Sequence, residues 1–326
     1  MYNRILVTGS AGFIGFHLCK RMMESYNDVE ILGIDNMNNN YYNPMLKEKR
    51  NNILKEYKNY TFLKLDFSDY SKLVKNLKDK DIDLIVHLGA QTGVRHSLKD
   101  PWAYERSNIL GTMNIFEFAR RFDIDKVVYA SSSSVYGGNK KIPFSEDDST
   151  DNPISLYAAT KKSNELMAYT YHHLYGIEMV GLRFFTVYGE WGRPDMAYFK
   201  FARNILLEEP IDVYNYGNME RDFTYISDVV DGVISSIERN FSCEIFNLGN
   251  SKPVKLMYFI ELLERYLGRT AKKNFLPMQE GEMPVTYADI NKSRELLGYN
   301  PKVSIEEGLK RFCSWFLDNK RWILKL

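Results

Sequence analysis

Tyr157 and Lys161 stand four residues apart in Tyr157-Ala158-Ala159-Thr160-Lys161, a spacing that puts a phenol and an ammonium on one face of a helix. With 23 tyrosines in 326 residues, about two such pairs arise by chance, so the spacing gains meaning only from its surroundings. Upstream, Ser131-Ser132-Ser133-Ser134-Val135-Tyr136-Gly137 follows an apolar run over 126–131, and strand ends of this kind are where open α/β sheets present their ligands. Hydroxyls there can hydrogen-bond a substrate oxygen. The competing reading of the serines is a polar exit from the strand.

A second constellation lies at the start of the chain. Gly9-Ser10-Ala11-Gly12-Phe13-Ile14-Gly15 follows the apolar run over 4–8 and opens a helix through His17, Leu18 and Arg21. Glycines let backbone turn tightly and approach a pyrophosphate, which then sits against the free amides and positive end of the helix. Asp35 ends the next apolar run 20 residues after Gly15. A carboxylate there can bind ribose hydroxyls and repels a 2′-phosphate, so NAD is favoured over NADP; a structural turn with a solvated aspartate is the alternative. A tyrosine of ordinary pKa near 10 must be stabilised as phenolate by about three units, or ~4 kcal/mol, to act as a base at neutral pH. Lys161 and a cationic nicotinamide ring are the available sources.

The elements that would position these groups read as successive βαβ units. Apolar, β-branched runs over 4–8, 31–35, 60–66, 84–88, 126–131 and 178–183 alternate with amphipathic stretches, as in a parallel sheet covered on both faces. A seventh run falls at 244–248. The expected fold is α/β: a Rossmann-type doubly wound parallel sheet, formed by 1–185 plus about 221–250, with a smaller substrate-binding lobe from about 186–220 plus 251–326. The polar, turn-prone segment 36–43 is expected to be a loop near the cofactor.

Composition removes several function classes. Forty-three basic against 42 acidic residues leave a formal charge of +1, so no field that would gather nucleic acid or anionic lipid is present. Ile5-Leu6-Val7 is too short for a signal segment, and a cytoplasmic protein is expected. Cys19, Cys243 and Cys313 belong to no C-x-x-C pair and read as packing residues. His87, His96 and His172-His173 lack metal-ligand spacing, and no metal is expected.

G-x-x-G-x-x-G, the serine stretch before Val135-Tyr136-Gly137, and Y-x-x-x-K together resemble the extended short-chain dehydrogenase/reductase family. The resemblance implies a catalytic triad of Ser132, Tyr157 and Lys161: Tyr157 removes a sugar hydroxyl proton, Ser132 steadies that oxygen, and Lys161 also holds the nicotinamide ribose. It implies cofactor contacts from Gly9, Gly12, Phe13, Ile14, Gly15, Asp35, Asn36, Asp66, Phe67, Leu88, Gly89, Ala90, Asn108 and Phe184, besides Tyr157 and Lys161. Dehydratases of this family carry Asp-Glu just after the catalytic hydroxyl, where this chain has Ser133 and Ser134, so oxidation and re-reduction at one carbon, or decarboxylation, is implied instead.

Within that family the chain is most similar in pattern to the UDP-glucuronate 4-epimerases. The similarity is carried by Gln91-Thr92-Gly93-Val94-Arg95, Ser155-Leu156-Tyr157 through Lys162, Leu182-Arg183-Phe184-Phe185-Thr186-Val187-Tyr188-Gly189, Trp191-Gly192-Arg193-Pro194-Asp195-Met196-Ala197, Arg221-Asp222-Phe223-Thr224-Tyr225-Ile226 and Thr286-Tyr287-Ala288-Asp289-Ile290. Departures are Glu190 for a usual proline, Ser227 for an aspartate, and Gln279-Glu280-Gly281-Glu282 for Gln-Pro-Gly-Asp, with Glu282 still offering a carboxylate to the uridine ribose. The implied reaction converts UDP-glucuronate to UDP-galacturonate through a 4-keto intermediate. Substrate contacts implied are Arg95, Ser132, Ser133, Ser134, Thr186, Arg193, Arg221 and Glu282, with Arg193 gripping the sugar carboxylate; arginine forks suit both that group and a diphosphate. A homodimer through helices over 101–122 and 155–175 is implied too. A UDP-glucuronate decarboxylase, a UDP-hexose 4-epimerase and a non-catalytic NAD-binding regulator remain alternatives.

Overall fold

The computed structural model describes residues 2–39, 42–279 and 283–326; Glu282 lies outside the described residues. In chain order the strands are β1 (Arg4–Thr8), β2 (Glu30–Asp35), β3 (Tyr60–Lys64), β4 (Leu84–His87), β5 (Lys126–Ser132), β6 (Glu178–Phe184), β7 (Thr186–Tyr188), β8 (Pro210–Val213), β9 (Glu220–Tyr225), β10 (Cys243–Leu248), β11 (Pro253–Lys255), β12 (Lys272–Phe275) and β13 (Val285–Thr286). The helices are α1 (Phe13–Ser25), α2 (Met45–Leu54), α3 (Tyr70–Leu77), α4 (Pro101–Tyr104), α5 (Gly111–Arg121), α6 (Leu156–Tyr175), α7 (Ala197–Leu207), α8 (Ile226–Glu238), α9 (Leu256–Leu267), α10 (Ile305–Asp318) and α11 (Lys320–Ile323). A π-helical turn over Glu105–Leu110 joins α4 to α5.

Seven strands form one sheet in the order β10-β6-β5-β4-β1-β2-β3, every pair parallel. All seven expected runs are in it. The period-two geometry of a strand sends Ile5 and Val7 to one apolar cluster and Leu6 to the other, which is why these runs are apolar on both faces. The third strand stops at Lys64, short of the expected Asp66, because the Asp66 carboxylate captures the Ser68 amide at 2.9 Å and hydroxyl at 2.7 Å and turns the chain. The fifth runs one residue further than expected, since Ser132 still pairs with Phe184.

The strand order reverses direction between β1 and β4, and at such a switch point the carboxyl ends of the strands open a crevice for ligands. The remaining strands lie elsewhere. β9 pairs with β7, β11 and β13, and β8 pairs with β12. Residues 221–225, expected with the large sheet, therefore hydrogen-bond into the small one, and the chain rejoins the large layer through α8 and β10. The buried Asp222 carboxylate explains the choice: it accepts amides from Asn250 at 2.6 Å, Ser251 at 3.0 Å and Ala288 at 3.0 Å, tying β9 to the turn after β10 and to the segment after β13.

Candidate active site

The loop after β1 is shaped by close approach. Gly9 has φ +68°, and a Cβ on it would lie 2.8 Å from the Gly89 backbone; one on Gly15 would lie 2.2 Å from the Gly9 carbonyl. Only glycine fits either place. No side chain caps α1 at Gly12, which leaves the first-turn amides of the helix directed at the crevice with the positive end of its dipole.

The crevice is open to solvent and runs from the glycine loop and Asp35 past the end of β5 to Arg193 and Met196. From the sequence-derived set it gathers Gly9, Gly12, Phe13, Ile14, Gly15, Asp35, Asn36, Phe67, Leu88, Gly89, Ala90, Ser132, Tyr157, Lys161, Phe184 and Arg193. Asp66, Asn108, Ser133 and Ser134 are not among its lining residues. Asn108 is fully buried; it donates to the Gln91 carbonyl and the Thr160 hydroxyl, each at 3.0 Å, and accepts the Gln91 amide at 2.8 Å. It thus braces the loop after β4 against α6. Burial pushes the Asp66 carboxyl up, but hydrogen bonds from Ser68 and Asn36 and the Arg106 charge outweigh it and leave it below its ordinary value.

Asp35 closes β2 and is 5% exposed. Its Oδ1 accepts the Met37 amide at 2.8 Å and the Lys47 ammonium at 3.1 Å. Sequence reasoning missed Lys47 and Tyr42, which line the crevice from the start of α2 and the loop before it. The polar segment over 36–43 was the signal that chain returns to the cofactor here, but nothing in it marks which later side chain turns inward.

At the other end, Ser155 caps α6 by accepting the Ala158 amide at 3.1 Å, so the first two turns of that helix face the end of β5. Ser132 Oγ accepts the Ser134 amide at 3.2 Å and donates to Ser134 Oγ at 3.1 Å, and it lines the crevice beside Tyr157. Burial raises the Tyr157 phenol above its ordinary value, while the Ser132 side chain and the Arg193 charge work against that. Lys161 donates to the Ala130 carbonyl at 2.9 Å. Burial pushes it down to about 8, opposed by the Glu165 carboxylate. Glu165 is itself fixed by the Ser131 hydroxyl at 2.6 Å and by two bonds of 2.9 Å from Arg183 on β6. A buried bidentate pair therefore sets the register of α6 on the sheet, and with it the reach of Tyr157 and Lys161.

His87 hydrogen-bonds Thr8 at 2.7 Å and Thr112 at 3.1 Å, and burial with the nearby Lys161 charge drives it down to about 3. It is a neutral packing residue, as its spacing suggested. Cys19 and Cys313 are buried and all three thiols are free. Among the described residues no group of three His, Cys, Asp or Glu side chains is placed to hold a metal.

A second pocket of about 890 Å³ adjoins the first through Met196. It contains Arg95, Thr186 and Arg221 together with Tyr214 and Phe223. Arg95 lies over the Tyr214 ring at 5.3 Å, and Arg221 donates to the carbonyls of Glu220 and Pro284 at 2.9 and 3.2 Å. Arg193 stands between the pockets, and its Nε and Nη2 hold the two oxygens of Asp195 at 3.0 and 2.6 Å. That partner was not foreseen.

A sheet with this switch point, a glycine loop and a Ser-Tyr-Lys cluster at the end of β5 defines a nucleotide-binding enzyme fold, and comparison with known proteins gives it a family. Residues 5–249 match the NAD dependent epimerase/dehydratase family. The chain is 75% identical over 325 residues to an uncharacterized protein of Methanocaldococcus jannaschii, covering 100% of this chain and 99% of the relative. It is 44% identical over 315 residues to a UDP-glucuronate 4-epimerase of Thermodesulfobacterium geofontis, covering 96% of both. Among solved structures, the UDP-glucuronic acid 4-epimerase of Bacillus cereus in complex with UDP-glucuronic acid and NAD superposes with a TM-score of 0.89 at 36% identity, covering 97% of this chain and 99% of that one. This chain belongs to the NAD dependent epimerase/dehydratase family.

Proposed function

We propose that this chain is an NAD-dependent UDP-glucuronate 4-epimerase, interconverting UDP-glucuronate and UDP-galacturonate. The observation that carries the reading is the meeting, in one crevice, of the Ser132, Tyr157 and Lys161 cluster with the Arg193 guanidinium. The crevice fits the dinucleotide on three counts: glycines that no side chain could replace, uncapped amides at the start of α1, and the Asp35 carboxylate at the end of β2. Held by these residues, NAD would supply reversible hydride acceptance at sugar C4.

Tyr157 accepts the C4 hydroxyl proton as that hydride leaves and gives it back when the alcohol re-forms, so atoms and electrons balance over the cycle. Ser132 donates to the same oxygen. Burial holds the phenol protonated, so its ionisation depends on positive charge at the site, which Arg193 supplies, with Lys161 and the nicotinamide ring as the proposed further sources. Arg193 and Thr186 orient the sugar carboxylate, and Arg95 and Arg221 face the UDP moiety. Fixing the carboxylate matters chemically: the 4-keto sugar is a β-keto acid, which loses CO₂ when the bond to that carboxylate aligns with the carbonyl π system. Ser133 and Ser134 stand where an acidic pair would serve dehydration, which disfavours that reaction.

We assign the large-sheet region to cofactor binding and the β7-to-β9 and carboxyl-terminal segments to the sugar nucleotide. A homodimer through the Pro101–Tyr104 to Gly111–Arg121 region and α6 is supported by the exposed apolar side chains of Trp102, Met113, Leu166 and Tyr169, which are expected to be covered by the same helices of a second copy; light scattering at micromolar concentration tests it. Among the described residues no helix is long and apolar enough to cross a membrane, in keeping with work on soluble nucleotide sugars in the cytoplasm. The decisive experiment is NMR of purified protein incubated with UDP-glucuronate. UDP-galacturonate without net NADH establishes the reading, whereas a pentose product or no turnover overturns it.

A further inference from the structure

Arg50, in the second turn of α2, is 0% exposed and makes five hydrogen bonds, none to a carboxylate. Its Nε donates to the Trp191 carbonyl at 3.0 Å, and Nη2 to the same carbonyl and to that of Gly192 at 3.1 Å. Nη1 donates to the Ala11 carbonyl in the glycine loop at 3.0 Å and to the Tyr42 hydroxyl at 3.3 Å. Five donors are thus spent on neutral acceptors. A buried charge is costly unless something compensates it, and a cation is seldom placed so without use. This one reaches the glycine loop through the Ala11 carbonyl and is not among the residues that line the crevice.

Further contacts hold the same turn in an unusual shape. Trp191 sits at φ +56°, a left-handed conformation costly for a bulky residue. Its ring is clamped by Phe16, Trp315 and Trp322. One residue before, the Glu190 carbonyl accepts from His17 Nε2 of α1 at 2.9 Å, and burial drives His17 down to about 3, so it bonds as a neutral ring. The two helices that flank the glycine loop therefore both grip the turn whose next residue is Arg193.

We infer that Arg50 is a positioning residue that couples the two halves of the site: its guanidinium fixes the Trp191-Gly192 turn that aims Arg193, and it offers a buried positive charge that a diphosphate at the glycine loop compensates. The inference rests on the reading of Arg193 given above. An anion at the loop stabilises the guanidinium in place, and the guanidinium holds the carboxylate-binding arginine in register. Arg50 acts on the sugar only through that turn.

The test uses Arg50→Lys and Arg50→Met, alone and with Arg193→Ala, all in a Tyr157→Phe background that silences turnover. Dissociation constants are measured by calorimetry for NAD, then for UDP-glucuronate and UDP-glucose on the NAD-loaded protein. Arg50→Met is expected to weaken NAD about tenfold, and Arg50→Lys, which keeps the charge, by less. Both are expected to cut the preference for UDP-glucuronate over UDP-glucose by about tenfold, since an ammonium cannot span both carbonyls. That loss of preference vanishes in the Arg193→Ala background if it runs through Arg193. Equal weakening of both sugars, or an effect that persists without Arg193, overturns the coupling. If Arg193→Ala itself leaves the preference unchanged, the carboxylate reading fails and takes the coupling with it; if it shifts the preference and Arg50→Lys does not, the coupling alone fails. Should Arg50→Met not fold, as judged by circular dichroism, Arg50→Lys carries the test.

Discussion

One wall of the crevice is made of backbone and the other of side chains. On the cofactor side, Gly9, Gly12, Gly15 and Gly89 bring main chain against the ligand, and the strands beneath them are fixed by hydrogen bonds along a seven-stranded sheet. On the sugar side, Arg193, Arg95 and Arg221 reach in from turns and from a small sheet whose strand β13 has only two residues. In the first wall the amides and helix end read phosphate and not identity, and Asp35 at the end of β2 is placed to disfavour a 2′-phosphate. In the proposed function the second tells one sugar from another, and the charges it offers for this are those of Arg193, Arg95 and Arg221. Rigidity is spent on the shared chemistry and adjustability on the specific one.

The largest expected effect separates chemistry from either wall. Tyr157→Phe removes the proton acceptor and nothing else the cofactor needs, so turnover should fall about 10²- to 10⁴-fold while NAD remains bound, as read by absorbance of the purified protein. A variant of wild-type rate would show that Tyr157 is not the base.

Next comes the sugar wall. Arg193→Ala should cost UDP-glucuronate about 1.5–3 kcal/mol more than UDP-glucose in kcat/KM, the worth of a charged hydrogen bond. Arg193→Lys keeps the charge and loses the fork, so the share of 4-keto-pentose product should rise, measured by mass spectrometry. Equal losses on the two sugars would falsify the carboxylate role.

A smaller effect tests how the two walls share charge. Burial holds Lys161 at about 8, so it is charged below that pH; as the proposed source of positive charge for Tyr157, its removal in Lys161→Met should raise the phenol's pKa. The rising limb of the pH–rate profile should therefore move to higher pH by roughly 1 to 3 pH units at saturating NAD, with lost activity partly recovered in alkaline buffer. An unmoved limb would leave Lys161 as a ribose contact only.

The contrast between the walls also explains what the sequence disclosed. The glycine loop and Asp35 each sit at the end of an apolar run, so their places follow from local pattern, and the seven strands follow from the same runs. Tyr157 and Lys161 needed only helical spacing and the serines at the end of β5. Lys47, Tyr42 and Arg50 were invisible because they act through the return of α2 to the glycine loop, a tertiary fact with no short-range signal. Asn108 shows the converse: its place in a familiar motif suggested a cofactor contact, yet its amide is consumed by Gln91 and Thr160. Residues 221–225 joined the small sheet because of Asp222, whose three amide partners lie 28 to 66 positions away.

The smallest effect is expected at Asp195, and it bears on how a charged wall stays ready for an acidic substrate. A guanidinium presents two edges to a carboxylate, and Asp195 occupies the one formed by Nε and Nη2. A substrate carboxylate that binds this edge must displace Asp195. The two side chains are two residues apart in one turn and are 19% and 20% exposed, so solvent partly screens a pair that its two hydrogen bonds strengthen. On the reading proposed for Arg193, Asp195 is a stand-in that gives way to the sugar acid. Asp195→Asn retains the shape and removes the competing charge, so it should tighten UDP-glucuronate by about three- to fivefold and leave UDP-glucose unchanged, both by calorimetry on the NAD-loaded protein. Weaker binding of UDP-glucuronate would instead show that Asp195 stays in place as a strut and that the sugar takes the other edge.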